Sequence, residues 1–158
     1  MYDLINLKNA AILFGISMVP VIELRGAIPV AATMGINPVV ALVICIIGNM
    51  LPVPFIMLFG RKLISWLQTT RLLGEIATKY EKRLAEKADK IMSYAIVGLI
   101  IFVGIPAPGT GAWSGAIIAT LLNMRLKTAV PAIFLGVVLA GLIMTFGSYI
   151  VAAIVSLF

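Results

Sequence analysis

Few residues in this chain can do chemistry, and most of them fall in two short stretches. In 158 residues, 19-VPVIELRGAIPVA-31 sets a carboxylate, Glu23, and a guanidinium, Arg25, two positions apart in an otherwise apolar run. An acid held inside a membrane is costly enough to imply work, and Glu23 is the only Asp or Glu that any topology of this chain places there. Its chemistry would be proton exchange, or capping and pairing with Arg25, since residues two apart in an extended turn project to one side. Arg25 keeps its charge and offers a planar fork suited to phosphate or carboxylate. Gly26 and Pro29 complete this first stretch, with Pro29 expected in the first turn of a helix, where its missing N–H is not needed.

The second stretch, 104-GIPAPGTGAWSG-115, carries Pro106, Pro108, Gly109, Thr110, Gly111, Trp113, Ser114 and Gly115. Its glycines leave backbone open to close approach, and Thr110 or Ser114 is expected to cap the helix that follows. Trp113 reads as packing or an interfacial anchor on one view and as the wall of a path on another. Asn49, in 48-GNMLPVP-54, is a further buried-polar candidate, expected to hydrogen-bond its own broken helix rather than touch substrate.

Several chemistries are excluded. The chain has no histidine and one cysteine, Cys45, so it offers neither a Ser-His triad, an intramolecular disulfide nor a cysteine-based metal cluster. Its two aspartates, Asp3 and Asp89, lie away from the apolar blocks, which removes an aspartyl intramembrane protease. The expectation is therefore a protein that is not an enzyme and holds no metal and no cofactor. Lys and Arg number 12 against 6 Asp and Glu, but they sit between apolar blocks without interleaved aromatics, so they mark topology and not nucleic acid.

The elements that must position these residues are helices in a membrane: 62% of the residues are hydrophobic and 11% charged. No small-residue cleavage site follows the first apolar block, which is expected to stay in the mature protein. The apolar blocks at 10–22, 26–60, 91–124 and 128–158 fit ordinary spans poorly, since one crossing needs about 20 residues. Two re-entrant hairpins, 10–35 and 91–124, each followed by one transmembrane helix at 38–60 and 128–157, resolve the lengths. The second hairpin breaks at 104-GIPAPGTG-111, and the first span is expected to kink at GNMLPVP. Broken backbone at that depth belongs beside a central cavity. Segment 61–90 repeats apolar residues at three- and four-residue steps, with Glu75–Lys79 and Lys82–Glu86 pairs, and reads as a long cytoplasmic amphipathic helix. The glycines at 136, 141 and 147 are read as allowing close helix packing.

Arg25-Gly26-Ala27-Ile28 matches Ser114-Gly115-Ala116-Ile117, each at a similar distance before its long span. With one span per half, the second half starts from the opposite face, giving an all-α membrane fold of two inverted repeats. The face holding 61–90 and 123-NMRLK-127 carries ten of the twelve basic residues and is read as cytoplasmic, with both termini outside. Four complete crossings with termini inside are the alternative.

The pairing of 20-PVIELRGAIP-29 with 104-GIPAPGTGAWSGAIIA-119 resembles the bacterial and archaeal small multidrug export protein family, over nearly the whole chain. That family is grouped with the wider DedA superfamily, whose members are thought to carry two membrane-entering hairpins and to move lipids or polyprenyl phosphates, some with protons. The resemblance puts Glu23, Arg25, Gly26 and Pro29 on the first signature and the candidates from Pro106 to Gly115 on the second. The second stretch lacks the arginines typical of DedA proteins, so a phosphate-binding role carries over only in part.

Together these readings imply a multi-pass protein of the cytoplasmic membrane of a bacterium or archaeon, a homodimer or higher homo-oligomer among membrane lipids. It would translocate a small amphipathic substrate with an anionic head, of polyprenyl phosphate or phospholipid type, by proton-coupled alternating access. Export of cationic amphiphiles, and an ion channel built from paired hairpins, are the alternatives.

Overall fold

The computed structural model describes residues 6–68, 88–107 and 109–155, the side chains of 63–68 and 88–93 excepted. Among the described residues the chain forms helices and no strand: α1 (Leu7–Met18), α2 (Glu23–Thr33), α3 (Pro38–Met50), α4 (Pro52–Gln68), α5 (Ala88–Gly104), α6 (Ala112–Leu121) and α7 (Leu126–Val155). The central part of the expected 61–90 helix, together with Pro108, lies outside the described residues.

Length sorts these helices into two kinds. Pro38–Lys62 and Leu126–Val155 are helices of 25 and 30 mostly apolar residues, long enough to cross a membrane. α1, α2 and α6 have 12, 11 and 10 residues, and at about 1.5 Å per residue each falls well short of a hydrocarbon core about 30 Å thick. The outward faces of the long helices are apolar: Phe59 is 71% exposed and Phe146 69%. A surface of that kind suits lipid better than water.

Capping explains where the elements begin. Asn6 accepts the Lys8 N–H at the start of α1, and Asn37 accepts the N–H groups of Val39 and Val40 at the start of α3, with Pro38 in the first turn. Between α3 and α4 the ladder loses donors at Pro52 and Pro54, but Leu51 keeps helical φ −57° and ψ −46° and donates to the Ile47 carbonyl at 3.1 Å, so Pro38–Lys62 runs on as one helix. Within the core, small residues let backbones approach: Ala27, Ala31, Ala41, Ala112, Ala116 and Ala119 are all fully buried. Cys45 is buried among protein.

The first turn differs from the sequence reading. Val21 and Glu23 adopt positive φ, 75° and 51°, which reverses the chain within Val19–Ile22. Glu23, Leu24, Arg25 and Gly26 therefore lie on α2 and not in a loop. Pro29 falls inside that helix, one turn later than expected, where it has no N–H for the Arg25 carbonyl.

Local arrangements recur between the halves. The RGAI and SGAI matches occupy the third to sixth residues of α2 and α6. Each of these helices ends in a left-handed residue, Gly35 (φ 66°) or Asn123 (φ 54°). The N–H of the next residue then closes the cap, Ile36 to Ala31 at 3.1 Å and Met124 to Ala119 at 2.9 Å. Each long helix reaches over to the other half's cap: the Tyr149 hydroxyl donates to the Ile36 carbonyl at 2.7 Å, and Arg61 Nη2 donates to the Met124 carbonyl. Gly48 on α3 seats against the Phe14 carbonyl of α1, as Gly136 on α7 seats against the Ile100 carbonyl of α5. Gly141 likewise packs closely, on Leu42, whereas Gly147 meets nothing within 4 Å and instead lines a cavity.

Candidate functional site

The charges of the first stretch meet the helix ends of the second. Glu23 is 4% exposed, and its carboxylate accepts the backbone N–H groups of Ala112 at 3.3 Å and Trp113 at 3.2 Å, the opening residues of α6. Gly111 makes room for it: a Cβ there would lie 2.6 Å from the carboxyl carbon. The first N–H groups of a helix lack internal partners and carry its positive pole, so an acid from the other half is their natural cap.

Arg25 does the converse. Its guanidinium donates to the carbonyls of Ala107, of Ile105 at 3.0 Å and of Val103 at 3.3 Å, around the negative end of α5. Only a forked donor can serve several carbonyls at once. Thr110 gathers the same segment, its hydroxyl 2.7 Å from the Ile105 carbonyl and 2.9 Å from that of Ala107, while accepting the Ala107 N–H at 3.4 Å. A reciprocal tie runs the other way, from the Trp113 indole N–H to the Met18 carbonyl at the end of α1, at 3.2 Å.

These contacts bring together Glu23, Arg25, Thr110, Gly111 and Trp113. Pairing of Glu23 with Arg25 is not how either charge finds its hydrogen bonds: each takes backbone partners from 104–113. Neither Thr110 nor Ser114 caps α6; its N-cap is Gly111, and the cap comes from Glu23. The first N–H groups of α6 are thus held by an internal acid. Gly109 takes φ 81° in the turn, Pro106 is exposed, and Gly26, Ser114 and Gly115 lie on the helices just inside the joint.

Two residues stand apart from the joint. Pro29, with Thr33, Gly147 and Ser148, lines an apolar cavity of about 520 Å³ between α2 and α7. Asn49 is fully buried, and neither amide atom has a hydrogen-bond partner, so it does not bond its own helix as expected. Sequence reasoning missed the receiving groups, the carbonyls of Met18, Val103, Ile105 and Ala107 and the N–H groups of Ala112 and Trp113. The only signal for them was the pair of helix breaks.

Two long apolar helices, with short helices whose facing ends are tied across the fold by the buried Glu23 and the half-buried Arg25, define a membrane protein that is all-helical among the described residues. Residues 23–143 match the family described as "Putative small multi-drug export protein", and the chain belongs to that family of membrane transporters. Comparison with curated proteins and with solved structures gave no match.

Proposed function

We propose that this chain is a proton-coupled membrane transporter for an amphipathic substrate with an anionic head, of polyprenyl phosphate or phospholipid type. The observation that carries the reading is the Glu23 carboxylate seated on the first N–H groups of α6. A helix N-terminus binds a carboxylate and a phosphate by the same chemistry. In the form described, Glu23 occupies that place and the halves are joined. A proton delivered to Glu23 cancels its charge, loosens its hold on Ala112 and Trp113, and frees the same N–H groups for a substrate head. Arg25, two residues further along α2 and turned to carbonyls of 103–107, can exchange those neutral partners for the head's negative charge.

In this reading the short helices are two re-entrant hairpins in inverted halves, which alternate access by rocking against α3–α4 and α7. The basic residues of 61–90 and 123–127 put that face in the cytoplasm, and a second copy completes the wall around the path. Kinship with DedA proteins belongs to the same proposal and rests on the paired signatures.

Purified protein in liposomes, carrying labelled polyprenyl phosphate or phospholipid and an imposed pH gradient, tests it. The expected result is gradient-dependent translocation, with Glu23→Gln removing the dependence on the gradient and Arg25→Ala removing movement. The family's description favours a second reading, export of cationic amphiphiles. Ethidium-type efflux with no movement of the anionic lipids would establish that reading in place of the first. Single-channel currents far above carrier turnover would replace both.

A further inference from the structure

The second long helix stands off from its short partner where the first does not. Gly48 corresponds to Gly136, Arg61 to Tyr149 and Ile36 to Met124, all at one offset along the chain. The same offset pairs Gly60 with Ser148 and Thr120 with Ala32. Gly60 on α4 packs against Thr120 on α6, where an added Cβ would lie 2.8 Å from the threonine Cγ2. Ser148 on α7 and Ala32 on α2 do not close up in this way. They line, from its two sides, the cavity of about 520 Å³.

A gap of that size is no packing fault, since protein interiors leave few voids larger than a water molecule. Its lining is apolar apart from the Thr33 and Ser148 hydroxyls, and Thr33 already donates to the Val30 carbonyl at 2.8 Å. Gly147 has nothing within 4 Å of the place its side chain would take, and Ile143, Val151 and Val155 around it are exposed on the apolar outer surface. Hydrocarbon suits such a space and water does not. Arg25, Pro29 and Thr33 follow at four-residue steps along one face of α2. A chain lying along Pro29 and Thr33 therefore leads to Arg25, one turn further in.

We propose, on the reading of inverted halves that move an amphiphile, that the α2–α7 cavity receives the substrate's apolar chain from one side of the membrane. Its counterpart between α4 and α6, shut here by Gly60 on Thr120, receives the chain from the other side. The form described is open at one end and closed at the other, and exchanging the two packings gives the reverse form.

Disulfide locks and a chain probe test this without any translocation. A Cβ on Gly60 would stand 3.5 Å from that of Thr120, inside the separation a disulfide needs, about 3.5–4.5 Å. Gly60→Cys with Thr120→Cys, in a Cys45→Ala background, should cross-link readily and hold the α2–α7 cavity open. Ala32→Cys with Ser148→Cys should cross-link severalfold more slowly and, once formed, hold it shut. The probe is a long-chain alkyl phosphate with a diazirine at the chain end, in liposomes of neutral lipid. Photolabelling is expected on 143–155 in the natural protein and in the first lock, and severalfold weaker there in Ser148→Trp and in the second lock. In the second lock the label should move to α4 and α6 around Gly60. Even labelling all round both long helices, or labelling of 143–155 undiminished by Ser148→Trp and the second lock, would overturn the site. A second lock that labels neither α4 nor α6 would overturn the alternation. If Ser148→Trp does not fold, the two locks decide. A labelled cavity in a protein that moves no lipid would end the transport reading and leave the chain site, and lipid movement without label at 143–155 would do the opposite.

Discussion

The Glu23 carboxylate fills the space that a side chain on Gly111 would need. Gly111 has an extended backbone, φ 165°, which any residue adopts, so its smallness serves the acid and not the turn. Gly111→Ala should therefore act through Glu23. We expect it to lower stability by about 1–3 kcal/mol, in the range of a lost buried charge contact. Glu23→Ala should cost a similar amount alone, and the double variant should cost clearly less than the sum, because the clash disappears with the acid. Thermal unfolding of the four proteins in detergent closes the cycle, and strict additivity would mean that the contact does not hold the joint.

Arg25 serves several carbonyls around the end of α5, a task for a planar fork. Arg25→Lys keeps the charge but cannot reach them together. It should lose at least half of the stability that Arg25→Ala loses, roughly 1–2 kcal/mol for the lysine variant. Denaturation midpoints in low and high salt check this, and the difference should change little with salt because the partners are uncharged carbonyls and not opposite charges. A lysine variant as stable as the natural protein would make Arg25 a simple point charge.

Much of this arrangement was legible in the sequence because apolar block lengths and prolines report on the helix itself. The long helix starting at Pro38 and the interruption at GIPAPGTG follow from residues that act on their own backbone, whereas the kink expected at GNMLPVP leaves Leu51 helical. The match of RGAI with SGAI fell at the third to sixth residues of two short helices, α2 and α6. The partners of the two charges were illegible. Glu23 and Arg25 bond backbone groups far along the chain, and a backbone carbonyl or N–H has no letter of its own. Pro29 was placed a turn early because nothing in VPVIE announces a valine and a glutamate at positive φ. The unpartnered state of Asn49 was likewise hidden, since an asparagine beside prolines usually bonds the chain it interrupts.

The Tyr149 hydroxyl and Arg61 fasten each long helix to the cap at the end of the other half's short helix. Tyr149→Phe leaves the buried Ile36 residue's carbonyl without this donor and should cost about 1 kcal/mol, and Arg61→Met should cost at least as much. The two ties serve separate caps, so their effects should add within about 0.5 kcal/mol. Chemical unfolding in mixed micelles measures the sum. Strong coupling would mean that the caps move together.

Val21 is 88% exposed and takes φ 75°, a conformation that a β-branched residue adopts only under strain. The turn needs that angle to bring Glu23 onto α6, and the valine side chain contributes little burial in return. Glycine reaches the same angle freely. Strain at such a residue amounts to about 1–3 kcal/mol, and the extra freedom glycine gives the unfolded chain takes back about 0.5–1 kcal/mol. Val21→Gly should therefore raise stability by about 1 kcal/mol, read as a higher unfolding midpoint in detergent. A lower midpoint would mean that the valine side chain finds contacts in the membrane that outweigh its backbone strain.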